Sequence, residues 1–194
     1  MYIPHAFQQN DPNELQRFME AHSFATLIST NPFMASHLPL TIENGRITGH
    51  LAKANPQSTL DGQEVLVVFQ GPHAYITPEW YQKTGQVPTW NYTAVHAYGT
   101  LQAIREPERI SMHLHQLVRQ HEHPRDTPWQ LDLTEEGLQK MARAIVVFEI
   151  PIQKLEGKYK LSQNRKPDEQ HRVVEGLEAS GSGDVAGLMK KWVL

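Results

Sequence analysis

Cysteine is absent from all 194 residues. That excludes a disulfide framework, thiolate metal sites and cysteine nucleophiles together, and it fits a reducing compartment. Long hydrophobic runs are missing too. No stretch approaches the length of a membrane span, and "MYIPHAFQQNDP" lacks the basic-then-apolar order of a secretory leader, so a cytoplasmic location with no membrane partner is expected. Charge of one sign is also scarce. The formal net charge is -3 and the sequence pI about 6.4, which gives no overall pull toward nucleic acid or acidic lipid. The sequence has no G-x-S-x-G elbow, no internal repeat and no helix-turn-helix pattern. "GSGDVAG" near the C-terminus fits neither the dinucleotide nor the Walker glycine spacing, and it reads as a linker between helices.

What is present is an ordinary globular composition, 39% hydrophobic and 20% charged, at a length suited to one substantial core. "DPNELQRFMEAH" reads as a helix with Asp11 as N-cap and Pro12 in its first turn. "FATLIST" is a strand, and "MASHLPLTIENGRITGHL" divides into two more around the Asn44-Gly45 hairpin signal. "EVLVVFQ" reads as a buried strand, "HAYIT" as another beyond Gly71-Pro72, and the segment after Pro88 as a long strand. Helices are expected from Pro107 and around "TEEGLQKMARA" with Thr134 as N-cap, and "IVVFEIPIQKLEGKYKL" returns to strand. Two helices separated by Ser180 to Gly183 close the chain. About six mostly antiparallel strands in the first half, with no βαβ pattern, suggest a small barrel with appended helices, and an open α+β sheet is the alternative.

Chemistry concentrates in a few segments. His113, His115, His121 and His123 lie close in sequence, but none are three or four apart, so the helix cannot offer the two-ligand face of a zinc site; a solvated face is expected and no metal. "GHLAKANPQ" presents His50, Lys53, Asn55 and Gln57 in quick succession, groups of the kind that hold a phosphate and the carbonyls of a ring; a hydrated loop reads as well. "GKYKLSQNRKPDEQHR" alternates at Lys158, Lys160 and Ser162, then presents Gln163, Asn164 and Arg165, and is otherwise a charged edge strand. "VPTWNYTAVHAYG" reads as a strand with one core face and one face carrying an indole, an amide and a phenol.

With "MYIPHAF", "HLAKANPQ", "GPHAYITPEWY", "VPTWNYTAVHAYG" and "KLSQNR" in this order over nearly the whole length, the chain resembles the PaiB-type family of FMN-binding negative transcriptional regulators. These share the six-stranded antiparallel split barrel of the pyridoxamine 5'-phosphate oxidase-like proteins. The resemblance implies a mainly β, single split-barrel domain over residues 1–194, with a helical C-terminal extension from about 166 to 194. It further implies a homodimer with FMN at the subunit interface. Ser36 and His37 would contact the ring, and Lys53 and Asn55, with His50 nearby, the phosphate or ribityl chain. Trp90 and Asn91 would border the cofactor, and Gln163, Asn164 and Arg165 correspond to the late contact segment of the oxidases; Lys53 and Arg165 are the expected grip on the flavin's anionic end. Val65 to Phe69, with the Trp90 segment, would supply the isologous contact. Three functions are compatible: a flavin-binding regulator or sensor with DNA or another regulator as partner, a flavin-dependent oxidoreductase acting on a small molecule, and a haem-binding or haem-degrading split barrel. A catalytic residue is not identified.

Overall fold

The computed structural model describes residues 1–131 and 134–194. Local signals account for most of its elements. Strand β1 (Gln8–Gln9) leads into helix α1 (Pro12–Ala21), where the Asp11 carboxylate accepts the Asn13 amide at 2.9 Å, as an N-cap should. Strands β2 (Phe24–Thr30), β3 (Phe33–Pro39), β4 (Thr41–Glu43) and β5 (Arg46–Ala52) follow. The turn between β4 and β5 places Asn44 at φ 50° and Gly45 at φ 72°, the pair of left-handed residues that a tight hairpin requires.

Strand β6 (Glu64–Ile76) runs unbroken through Gly71-Pro72, so the two strands expected on either side are one. Proline's fixed φ is compatible with extended backbone, and its missing N–H ends a strand only where the ladder needs that donor. Strand β7 (Thr89–Thr100), β8 (Gln102–Ile104), α2 (Pro107–Glu122), α3 (Glu135–Ala144), the long β9 (Ile145–Lys160), α4 (Pro167–Ala179) and α5 (Gly183–Trp192) complete the order. Thr134 caps α3 by accepting the Gly137 amide at 3.2 Å.

Among the described residues the strands form a nine-stranded sheet in the order β3-β2-β6-β7-β9-β5-β4, with β1 and β8 also pairing β9. Six strands were expected in the first half and one more from Ile145; two of these merge into β6, and the short β1, β4 and β8, two or three residues each, bring the count to nine. The registered pairings are antiparallel, for example Thr26 opposite His37 and His50 opposite Val147.

Two compact units emerge. Unit 1 comprises Met1–Leu15, Gln70–Val95 and Glu156–Leu194, and unit 2 comprises Gln16–Phe69 and His96–Leu155. The core of unit 1 includes Ile76, Tyr81, Leu161, Val173, Leu177 and Met189. That of unit 2 includes Leu27, Ile47, Val67, Phe69, Phe148 and Ile150. Burying such side chains contributes about 1.5–3 kcal/mol each. Val65, Val67 and Phe69 belong to this interior, so strand alternation leaves only Leu66 and Val68 of that run partly accessible to a second copy.

Candidate functional site

In unit 2 the segment from His50 to Gln57 leaves β5 and closes into a short turn of helix at Pro56–Thr59. Asn55 caps that turn through its Oδ1, which accepts the Gln57 amide at 2.9 Å, while its Nδ2 donates to Ser36 Oγ at 3.0 Å. Ser36 and Asn55 are thus brought together, 19 residues apart in sequence. His37 is exposed one position further along β3, with Nδ1 3.0 Å from Thr26 Oγ1. Gln57 is fully buried: its Nε2 donates to Ser29 Oγ at 2.9 Å and to the Met34 carbonyl at 3.1 Å.

Lys53 is exposed, and its ammonium has no ion-pair partner among the described residues. It borders a cavity of about 480 Å³. Ser58, Thr59, Arg105 and Arg143 line that cavity together with an apolar floor of Ile104, Ile110, Ile145 and Val147. Asp61 accepts the Ala103 amide at 2.9 Å and pairs with Arg105 at 2.7 Å; the amide first, and then the guanidinium, holds its carboxyl below the usual range.

His50 turns toward α2, its Nδ1 3.0 Å from His113 Nε2. His113 is buried, a correction to the solvated face expected for this group: residues two apart on a helix point in different directions, and His113 is the one that turns inward. Desolvation, and secondarily the neighbouring His50, pushes the His113 imidazole down to about 4. His50 is also lowered by burial. Both rings are therefore neutral at pH 7, one donating and the other accepting.

In unit 1, strand β7 separates the indole and the amide expected on one face. Trp90 is 52% exposed, with the Tyr75 ring edge-on at 5.9 Å and His73 at 6.1 Å. Asn91 points the opposite way because successive strand residues alternate. It is fully buried, its Nδ2 donating to Ser162 Oγ at 2.9 Å and that hydroxyl donating back to Oδ1 at 3.2 Å. Indole and amide therefore do not share a face.

The "SQNR" segment is a tightly bonded turn. Ser162 sits at φ 67°, and Gln163 folds back to donate to the Tyr159 carbonyl and accept the Leu161 amide at 2.8 Å. Asn164 is left exposed. Arg165 lies over the Tyr81 ring at 4.1 Å and donates to Gln86 Oε1 at 2.6 Å. Two lysines outside the expected site share this unit, Lys158 and Lys160; their alternation in the sequence was the available signal.

The nine-stranded sheet and its helices define a class, the mainly β split barrel with appended helices. Two solved structures support that fold. The "FAD and Heme binding protein" of Mycobacterium smegmatis matches at a TM-score of 0.65 with 14% identity, covering 84% of this chain and 78% of its own. The flavocytochrome Anf3 of Azotobacter vinelandii matches at 0.62 with 12% identity, covering 80% and 70%. Residues 1–154 match the family described as "Putative FMN-binding domain", and the chain belongs to that family. It is also similar to "Protease synthase and sporulation protein PAI 2" of Bacillus subtilis (strain 168), 38% identical over 187 residues, covering 92% of this chain and 89% of that one. It is therefore an FMN-binding split-barrel protein of the PaiB type. No helix among the described residues is long and apolar enough to cross a membrane.

Proposed function

We propose that this chain is a cytoplasmic flavin-dependent regulator or sensor whose role is to bind FMN, as a homodimer of one split-barrel domain with a helical extension. The observation that carries the cofactor assignment is the Lys53 ammonium, without an ion-pair partner among the described residues, beside a cavity that Arg143 also lines and that has an apolar floor. This lining fits FMN: the cations suit a phosphate, and branched aliphatic side chains suit a flat ring; the Ser58 and Thr59 hydroxyls are already donated to the Lys53 and Pro56 carbonyls. When bound, the isoalloxazine supplies redox chemistry or a redox-dependent change of shape. The protein's own part is to hold it. Lys53 attracts the anionic end, while the Ser36–Asn55 pair and His37 present polar atoms along the neighbouring strand. Trp90, exposed on β7, offers an aromatic face for a second copy.

The regulatory role is supported by the likeness to a relative named for protease synthesis and sporulation. It is expected to act through another protein and not by direct reading of DNA. Net charge is -3, and exposed cations such as Arg105, Arg109 and Lys190 are tied to Asp61, Glu149 and Glu178, which leaves little net pull toward a phosphate backbone.

Fluorescence titration with FMN and with riboflavin, which lacks the phosphate, tests the site. A charge-assisted hydrogen bond contributes about 1.5–3 kcal/mol, so Lys53→Ala should weaken FMN about tenfold or more and leave riboflavin unchanged. Unchanged FMN affinity would remove Lys53 from the site. Steady oxidation of a reduced nicotinamide by the holoprotein would shift the reading from sensor to oxidoreductase.

A further inference from the structure

Among the described residues, four side-chain cations of unit 1 face carboxylates: Lys83 meets Glu169 at 2.8 Å, Arg172 meets Asp168 at 2.9 Å, Lys190 meets Glu178 at 2.5 Å and Lys191 meets Glu14 at 3.5 Å. Lys158, Lys160 and Arg165 do not. Lys158, 8% exposed, donates to the Tyr2 carbonyl at 3.1 Å and lies over the Tyr92 ring at 5.2 Å. Lys160 donates to Thr89 Oγ1 at 2.6 Å and to the Trp90 carbonyl at 2.5 Å. Arg165 is held by Gln86 and the Tyr81 ring. All of these partners are neutral.

The nearby carboxylates are already engaged. Glu156, two positions before Lys158 on β9, is bound by the Met1 amino group. Glu169, within electrostatic reach of Arg165, binds Lys83 and accepts the Lys166 amide at 3.1 Å.

We propose that Lys158, Lys160 and Arg165 form a binding site for the dianion of a small phosphomonoester, separate from the Lys53 cavity. Three uncompensated cations match the charge and the three terminal oxygens of such a group better than a single carboxylate would. Lys158 is buried and Lys160 and Arg165 are half-buried, which favours a small ligand, since a nucleic-acid backbone is met by cations that project from the surface. Trp90, whose carbonyl holds Lys160, is half exposed beside Tyr75 and offers the organic part an aromatic surface. The resting cluster repels itself. Lys160 is drawn below the ordinary lysine range, first by burial and then by Lys158 and Arg165. A bound dianion reverses the second of these causes.

The test is calorimetric titration of the full chain with inorganic phosphate and with phenyl phosphate at low, matched ionic strength. Saturable binding is expected, tighter for phenyl phosphate, and at least tenfold weaker in Lys160→Gln. Lysine side-chain NMR should show the Lys160 pKa rising when phosphate is added to the wild type, a readout independent of how the variant folds. No saturable binding, or an unmoved Lys160, would overturn the proposal. If Lys160→Gln weakens FMN but not riboflavin and phosphate competes with FMN, the cluster is the flavin's own phosphate seat; the separate site falls and the flavin reading stands. Phosphate binding at Lys160 in a protein that takes no flavin sinks the flavin reading and leaves this site in place.

Discussion

The two units treat their polar groups in opposite ways. In unit 2 they close on one another: Glu149 is shared by Arg46 at 3.1 Å and Arg109 at 2.8 Å, His50 meets His113, and Gln57 is spent on Ser29 and Met34. In unit 1 a knot of three cations ends on carbonyls, an amide and aromatic faces. A buried group that finds its complement within the chain contributes to specifying one fold. A charge cluster left uncompensated costs stability, and its retention points to a ligand that supplies the missing charge. Within unit 2 the same distinction separates Lys53, exposed and without an ion-pair partner among the described residues, from the His50–His113 pair.

The largest expected effect lies where backbone meets backbone. A Cβ on Gly99, in unit 2, would stand 2.3 Å from the Pro151 carbonyl oxygen and 2.6 Å from Ile150 Cγ2. Neither can swing aside, so Gly99→Ala should cost about 3 kcal/mol or more in urea denaturation. On Gly176, in unit 1, the new atom would meet the Trp80 indole at 2.3 Å. An indole can shift, and alanine regains about 1 kcal/mol of helix propensity there, so Gly176→Ala should cost distinctly less. The reverse order would break the contrast between a clash with backbone, which cannot relax, and a clash with a side chain, which can.

Acid should separate the units next. The folded His113 binds its proton only near pH 4, whereas an unfolded histidine does so near 6.5. Between these values the unfolded chain holds more protons, so stability falls as pH falls through that window and is fully lost from this source below it. The loss is on the order of 3 kcal/mol, and His113→Phe should flatten the profile of unfolding free energy between pH 7 and 4. An unchanged slope would show that the histidine pair does not set the acid response.

Trp90→Ala should have the smallest effect on the folded chain, less than about 1 kcal/mol, because the side chain is 52% exposed. Light scattering should nevertheless show weaker self-association if Trp90 lies at the contact between copies. A large loss of stability would instead place the indole in the interior and narrow the contrast drawn for unit 1.

Much of the fold was legible in the sequence because its signals are local. Asp11 and Thr134 cap helices where expected, Pro12 and Pro107 open them, and the Asn44-Gly45 pair turns a hairpin, each decided by a few neighbouring dihedrals or one short hydrogen bond. The candidate site was legible only as a set of segments. "HLAKANPQ" and "SQNR" stand out by composition, yet composition does not say which of their side chains are consumed internally.

By itself, then, the sequence determined the order of elements, the family and the polar segments. Only the tertiary structure decided which atoms remain available. Gln57 and Asn91, equally polar on paper, are committed to Ser29 and Ser162, 28 and 71 residues away. His113 meets a histidine 63 residues distant, and Lys158, Lys160 and Arg165 are left without a carboxylate. The physical reason is the range of the interactions: turns and caps are written within a few residues, whereas hydrogen-bond satisfaction and charge balance depend on what the fold brings alongside.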